Sequence, residues 1–212
     1  MLIKIAWRNI WRNKLRSAIV VLSITFGIWA VIFLLSFSNG MINSFIERSI
    51  NNELAHMQIH NPKYLDEPEI QYSIDNIDEA LTKVRAIDNV ANATIKTSIS
   101  GMVSSAKGAQ GIKIVGINPT EEIHITAISE TLNKGTYLES KGKNPIIVGQ
   151  KLTKKLGIKE RSKVVLTFQD IEGNITTAAF KVCGVFETYN SVFDESNVFV
   201  RRSDLNKLLN DA

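Results

Sequence analysis

Histidines are the first candidates for chemistry in this chain, because two of them are closely spaced. His56 and His60 lie four residues apart in the segment HMQIH, and His124 is the only other histidine. If the segment is a strand, alternation places His56 and His60 on the same face. No cysteine cluster and no HExxH motif accompanies them, so solvated or core histidines are favoured over a metal site. We predict that the chain binds no metal.

Nucleophiles and phosphate-binding loops are no better supported. Cys183, the single cysteine, lies in the strand-like segment FKVCGVF and fits a small buried hydrophobic residue better than a nucleophile. Ser104, Ser105 and Lys107 lie close together but lack the SxxK spacing of a serine nucleophile with a lysine base. The segment GAQGIKIVG lacks both GxGxxG and a Gly-Lys-Ser ending, so it indicates a hairpin turn. We therefore predict no catalytic residue, no cofactor, and a chain that is not itself an enzyme.

The dominant feature is a long uncharged segment near the N-terminus. No charged residue occurs between Arg16 and Glu47, in SAIVVLSITFGIWAVIFLLSFSNGMINSFI. About 20 apolar residues span a bilayer as a helix, and only a helix satisfies its own backbone within one segment. A cleaved signal peptide would have a shorter apolar region of about 7–15 residues. We predict a transmembrane helix with its outer extension over residues 17–46 and a water-exposed domain over residues 47–212.

Charge predicts which side of the membrane each end occupies. Five basic residues and no acidic residue precede the apolar segment, namely Lys4, Arg8, Arg12, Lys14 and Arg16. Basic residues flanking a membrane helix stay in the cytoplasm, so we expect a cytoplasmic N-terminus and a domain on the outer side of the membrane. Because five of the 25 basic residues lie here, the rest nearly balance the 21 acidic residues. The pI of about 9.1 is thus explained by the basic residues that flank the membrane helix and does not indicate a nucleic-acid partner.

The first sixteen residues have the pattern of an amphipathic helix. Apolar residues, two tryptophans among them, recur at helical spacing, while basic residues fall on other faces. Such a helix lies in the membrane interface with its tryptophan rings at the level of the lipid headgroups. The segment either only anchors the chain or also meets a cytoplasmic partner. The predicted elbow helix over residues 1–16 contacts membrane lipid through Trp7, Arg8, Trp11, Arg12, Lys14 and Arg16.

Small residues mark one face of the predicted membrane helix. Ser23, Gly27 and Ala30 recur at spacings of four and three residues, which places them along one side. Small side chains let membrane helices approach each other closely, because lipid offers no hydrophobic drive for association. The alternative is that serine merely bonds back to the preceding turn of its own helix. We predict a helix-packing face at these three residues.

The rest of the chain combines strand and helix patterns, which predicts a mixed α+β domain. No disulfide is possible with one cysteine, so the domain depends on its apolar core. Asp194 and Glu195 are predicted to be loop charges. The predicted elements are a strand at LAHMQIH, a helix over 74–87, strands over 90–117 with a turn near 107–111, a helix over 121–135, a strand and helix over 145–158, a hairpin turning at Gly173, and a strand and helix over 197–209.

The order of motifs resembles a known family. RNIWRNKLRS precedes the apolar segment, and IKIVGINP, LNKGTYL, IIVGQKLTKKLGI, SKVVLTF, FKVCGVFET and VFVRRSDLNKLL follow in that order. This succession resembles ABC-transporter permeases of the FtsX/MacB group, and most of all the lipoprotein-releasing (LolC/LolE-type) permeases. The resemblance implies a periplasmic core domain anchored by the first membrane helix, and a separate cytoplasmic ABC ATPase subunit.

The resemblance also implies a function. A permease of this group pairs with a second permease subunit, identical or different. It converts ATP-driven closure of membrane helices into movement of the periplasmic domain, which releases a lipoprotein or another amphiphile from the inner membrane. By the same resemblance the outer end of the first helix borders the substrate cavity, and lipid contact is the alternative for each residue there. The cavity residues so implied are Phe33, Phe37, Met41, Ile42 and Phe45.

Other expectations follow from the same comparison. The runner-up function is an FtsX-like regulator that activates a cell-wall hydrolase without transport, and a single-pass ligand sensor is a third possibility. Permeases of this group continue into three more membrane helices, so the chain is expected to be truncated or a fragment. In the lipoprotein-releasing permeases, one subunit extends a loop from this hairpin to capture a soluble periplasmic chaperone. The hairpin turn QDIEGN is short here, so a periplasmic chaperone is expected to bind weakly at most.

Overall fold

The computed structural model describes residues 2–50, 55–66, 70–138 and 142–209. The chain divides into two compact units, Met1–Arg48 and Ser49–Ala212. A mixed α+β core domain preceded by an amphipathic helix and one apolar helix is what the sequence predicts, and the structure confirms that fold class.

The first unit consists of two helices. Helix α1 covers Leu2–Arg12 and helix α2 covers Lys14–Ser49, with Asn13 between them. The 36 residues of α2 rise about 54 Å, which exceeds the hydrocarbon thickness of a bilayer. No proline interrupts α2, and the helix is long and apolar enough to cross a membrane.

The second unit contains a seven-stranded sheet and short helices. Its elements are α3 (Pro62–Asp66), α4 (Ile77–Arg85), β1 (Thr97–Ser105), β2 (Gly108–Ile117), α5 (Pro119–Glu122), β3 (Leu132–Gly135), β4 (Pro145–Gly149), α6 (Gln150–Leu156), β5 (Lys163–Gln169), β6 (Ile175–Phe186), α7 (Ser191–Ser196), β7 (Asn197–Arg201) and α8 (Arg202–Leu209), with short 3-10 turns at Ile70–Tyr72 and Ala127–Ser129.

The strands follow the order β3-β6-β4-β7-β2-β1-β5, and β5 pairs in addition with β6. Strand β6 is long enough for both contacts: it pairs with β5 up to Lys181 and with β4 from Lys181 onward. The pairings of six strands therefore close into a ring. Strand β3 is not part of the ring and pairs with β6 on the edge opposite to β4. A closed ring leaves few unpaired edges for aggregation.

Two apolar cores lie on opposite faces of the central strands. Ile146 and Val148 of β4 belong to one core, whereas the intervening Ile147 belongs to the other. Every residue of β4 is buried, which explains its continuous apolar run, because a strand covered on both faces has no polar side. The larger core includes Ile99, Val103, Leu166, Phe180, Val198 and Leu205, and the smaller one includes Ile117, Ile128, Leu138, Phe186 and Phe199.

Several predicted elements are confirmed. The 145–158 segment forms β4 and then α6, which ends at Gly157 with a left-handed φ of 59°, as glycine at a helix C-terminus allows. The predicted hairpin is β5 and β6, joined across Gly173 with φ 84°. The segment 197–209 forms β7 and α8.

Two predicted elements are wrong. The segment 55–60 forms no strand, and residues 56–60 are all exposed. The apolar face that Met57 and Ile59 would form is uncovered, at 82% and 59% exposure. A strand needs a partner as well as alternation. The predicted helix over 121–135 is instead α5, a 3-10 turn and β3. Ile128 is fully buried in the smaller core and β3 pairs with β6, so tertiary contacts override the helical pattern.

Candidate functional site

The predicted elbow residues lie on α1 and at the start of α2. The Trp7 and Trp11 rings are 6.2 Å apart, as expected for side chains one turn apart on one helix face. The Lys14 Nζ lies 5.8 Å from the centroid of the Trp11 ring, within the range of a cation–π contact. The structure therefore brings these three residues together, and all six predicted elbow residues are exposed.

An aromatic ladder runs along α2. Adjacent ring centroids are 5.7 Å apart for Phe26 and Trp29, 5.6 Å for Trp29 and Phe33, and 6.3 Å for Phe33 and Phe37. Two of the predicted cavity residues thus belong to a longer row of rings. Phe26 and Trp29 were not among the residues predicted from the sequence, although their spacing of three and four residues from the next ring places them in this row.

The outer part of α2 carries the remaining predicted cavity residues. Met41, Ile42 and Phe45 are 61%, 49% and 63% exposed. Asn39, Asn43 and Glu47 fall on the other side of the same turns. The outer extension of α2 is thus amphipathic, whereas the part nearer the N-terminus is apolar on all sides.

The small-residue face of α2 is uncovered in the described residues. The Ser23 hydroxyl donates to the Ile19 carbonyl at 2.8 Å, which is the back-bonding alternative. A Cβ added at Gly27 would meet no atom within 4 Å. The helix can therefore accept a close neighbour at Gly27, and Ser23 is already satisfied without one.

A buried ion pair lies within the core domain. The Lys96 Nζ is 2.6 Å from the Glu122 Oε1, and the Thr126 hydroxyl donates to the same oxygen at 2.6 Å. The Glu122 side chain is 1% exposed and that of Lys96 is 27% exposed. The pair joins the residue just before β1 to the end of α5, and it was not predicted from the sequence.

A second charged contact attaches α4 to the same region. Arg85 Nη2 donates to Glu121 Oε1 at 2.8 Å and to the Ala93 carbonyl at 2.7 Å. The Thr94 hydroxyl donates to the other Glu121 oxygen at 2.7 Å. The hydrogen bond from Arg85, and then that from Thr94, lowers the pKa of Glu121. These contacts hold α4 and the strand entry against α5.

Asp194 is not a loop charge, so that prediction is wrong. It lies in α7, is 2% exposed, and accepts hydrogen bonds from the backbone and hydroxyl of Thr188. Burial raises the pKa of the Asp194 carboxyl, and the Thr188 bonds oppose that rise. Glu195 lies in the same helix and pairs with Lys155. The two acids thus fix α7 and α6 in place.

Cys183 is half-buried on β6 and its thiol donates to the Ile146 carbonyl at 3.3 Å. Burial raises the pKa of this thiol to about 11. Because the thiolate is the nucleophile, a thiol protonated at neutral pH is inert. The geometry agrees with a packing role for Cys183.

His60 has ordinary polar and aromatic neighbours. The His60 Nε2 and Gln58 Oε1 atoms lie 2.9 Å apart, and the His60 ring stacks on that of Tyr64 at 5.4 Å. Over residues 2–50, 55–66, 70–138 and 142–209, no group of three or more His, Cys, Asp or Glu side chains is arranged to hold a metal. The charged contacts of the core domain described above connect neighbouring elements of the fold.

Comparison with known proteins gives a matching family model and two partial matches among solved structures. The family model of the MacB-like periplasmic core domain matches residues 17–211. The extracellular domain of the noncanonic ABC-type transporter YknZ from Gram-positive bacteria is 16% identical with a TM-score of 0.46, and the match covers 61% of this chain and 64% of that one. A domain of a putative permease protein from Porphyromonas gingivalis is 18% identical with a TM-score of 0.39, covering 62% of this chain and 54% of that one. The chain thus matches less than two thirds of either structure.

Proposed function

Because the chain belongs to the MacB-like periplasmic core domain family, we propose that it is the permease subunit of an ABC transporter. The observation that carries the proposal is the extent of the family match, which includes most of α2 and the core domain in one continuous range. The family is a permease-type domain and not itself an enzyme, so ATP hydrolysis is assigned to a separate cytoplasmic subunit.

The proposed mechanism is mechanical. ATP binding and hydrolysis in the partner ATPase move the membrane helices, and α2 carries that movement outward. An unbroken helix of 36 residues without proline suits this role, because kinks form mainly at proline and similar defects. The core domain has a closed ring of strands and two apolar cores, so it moves as a unit and pushes the substrate.

The proposed substrate is a lipoprotein or another amphiphile of the inner membrane. The proposed cavity wall is the apolar side of the ladder and of the outer extension of α2, where aromatic and aliphatic side chains are exposed, while the asparagines lie on the opposite side of the helix. Such an apolar wall suits the acyl chain of an amphiphile. The wall residues are Phe33, Phe37, Met41, Ile42 and Phe45.

The transport proposal is tested on a tagged full chain purified from its native membranes. An ATPase subunit and a second permease subunit, identical or different, should be recovered with it, and the complex should hydrolyse ATP. Turnover should disappear when the nucleotide site of the ATPase is substituted, while this chain is unchanged. A recovered complex without ATP turnover would contradict the proposal, and turnover coupled to cell-wall hydrolysis without substrate release would favour the FtsX-like alternative.

The packing face gives the first prediction. Gly27→Leu should reduce recovery of the second permease subunit and coupled ATP turnover by about tenfold or more, because leucine prevents close approach of helices. Membrane insertion should persist, since leucine favours insertion. The control is Gly40→Leu, which also has nothing within 4 Å and lies about 140° away around the helix. Equal assembly of both variants would show that Gly27 is not at a helix contact.

The proposed orientation places the N-terminus in the cytoplasm and the core domain, from about residue 47, in the periplasm. In a Cys183→Ser background, Thr120→Cys should react with an impermeant maleimide from outside intact cells, because Thr120 is exposed. Lys4→Cys should react only after the membrane is permeabilised. The positive-inside rule is the reason. The reverse labelling pattern would overturn the orientation.

A further inference from the structure

Three cations form a line along α1. Lys4, Arg8 and Arg12 follow one another at four-residue intervals, so their side chains share one face, with neighbouring Cβ atoms about 6 Å apart. All three are exposed. Within the part of the chain that the structure describes, none of them makes an ion pair.

This line has no compensating charge nearby in the chain. The first acidic residue is Glu47, about 50 Å away along the two helices. Like charges at a spacing of four residues destabilise a helix, and Lys4 in the first turn also opposes the helix dipole. In water, therefore, repulsion along the line works against the fold of α1, although Arg12 in the last turn favours the helix dipole, and a bound external anion would relieve this repulsion.

The neighbouring residues indicate where that anion comes from. The Trp7–Trp11 pair and the Lys14 contact with Trp11 form an amphipathic aromatic surface, which prefers the level of the lipid headgroups. Only Asn13 separates α1 from the apolar helix α2. The anions nearest to α1 are then the phosphates of the lipids around α2.

We propose that Lys4, Arg8 and Arg12 form a binding line for the headgroups of anionic phospholipids, and that this binding holds α1 helical and flat on the membrane. The inference rests on the proposed membrane insertion of α2. Arginine suits phosphate because its planar group donates two parallel hydrogen bonds. The docking of α1, and with it any contact of α1 with a cytoplasmic partner, then depends on the lipid composition.

The expected effect is large because the charges act together. Each basic residue near an anionic surface strengthens binding about fivefold. Three of them therefore change the docking equilibrium of α1 by roughly 100-fold, since the contributions multiply. High salt should reduce the effect, because the surface potential is screened beyond a Debye length of about 10 Å at moderate ionic strength.

Tryptophan fluorescence of the full chain provides the test. The chain has three tryptophans, so Trp29→Phe leaves only Trp7 and Trp11, both on α1, as reporters. This variant is reconstituted into vesicles of phosphatidylcholine alone, or of phosphatidylcholine mixed with phosphatidylglycerol, each carrying brominated lipid as quencher. We expect stronger quenching and higher helicity of α1 with phosphatidylglycerol, and a decrease of both at high salt.

Two sets of substitutions test whether the line is responsible. The test variant carries Lys4→Gln, Arg8→Gln and Arg12→Gln, in which glutamine keeps the helix propensity. The control removes the same charge from exposed positions of the core domain through Lys113→Gln, Lys163→Gln and Lys181→Gln. Only the test variant should lose the response to phosphatidylglycerol.

The outcomes separate this inference from the proposed function. Equal quenching in the two lipids, or an unchanged response in the test variant, overturns the lipid site while α2 remains inserted. Inorganic phosphate that restores quenching in phosphatidylcholine vesicles overturns the assignment to a lipid headgroup. Failure of every variant to float with vesicles overturns the membrane proposal itself, and the lipid site with it.

Discussion

Lys96→Met is expected to lower the free energy of unfolding of the core domain by about 3–5 kcal/mol, because it leaves the Glu122 charge buried without its partner. Glu122 is 0% exposed, and its second oxygen has no hydrogen-bond partner. Thr126 alone would remain to solvate the carboxylate. Pulse proteolysis of the full chain in urea, in detergent micelles, measures the change.

Two further variants define the physical cause. Lys83→Met removes an ion pair of similar length, 2.7 Å from Glu79, but both side chains are mainly exposed, so the loss should be about 0.5 kcal/mol or less. Combining Lys96→Met with Glu122→Leu removes the buried charge together with its partner and should recover most of the stability. If Lys96→Met unfolded at the same urea concentration as the unchanged chain, the ion pair would carry no structural role.

The strands of the core domain are largely predictable because the burial of one or both faces of a strand determines where apolar residues occur along it. Strand β5 alternates, with Val164, Leu166 and Phe168 buried and Val165 exposed. Strand β4 is apolar throughout because both faces are covered. Glycine has φ 59° after α6 and φ 84° in the hairpin turn, and other residues rarely adopt such positive φ values. These glycines therefore indicate the end of α6 and the position of the turn. Local pattern and tertiary environment agree in these segments.

The failures occur where long-range contacts decide. Residues 121–135 carry a helical pattern, yet Leu132 of β3 pairs with Phe186 of β6, a partner that no local pattern reveals. A charged residue such as Asp194 is expected to be exposed to solvent, but in the folded chain Thr188 donates a hydrogen bond to its carboxylate. In each case the deciding partner comes from another element.

The candidate site divides in the same way. The faces of α1 and α2 follow from helical periodicity, so the elbow residues and the small-residue face are visible in the sequence. The Lys96–Glu122 pair joins residues 26 positions apart and exists only because the fold brings the entry of β1 to the end of α5. Periodicity reports which residues share a face, and it does not report which faces meet.

Gly149→Ala is expected to lower the free energy of unfolding by about 3 kcal/mol, because overpacking a dense interior forces the backbone to shift. Gly149 is the last residue of β4, directly before α6, and a Cβ there would overlap the backbone of Asp194. No side chain can move aside to relieve a clash with backbone atoms. Urea unfolding of the full chain, followed by pulse proteolysis, measures the loss, and hydrogen exchange in α7 locates it.

The matched control is Gly111→Ala, a glycine in β2 with nothing within 4 Å of an added Cβ. This change should leave stability unchanged or raise it by about 0.5–1 kcal/mol, because alanine loses less backbone entropy than glycine on folding. The two alanines should thus act in opposite directions. Equal stability of both variants would contradict the close approach of β4 to α7. Faster exchange of the α7 amides in Gly149→Ala, and not in Gly111→Ala, is expected. It would show that the glycine of the IIVG motif allows α7, with its buried Asp194, to pack directly against the sheet.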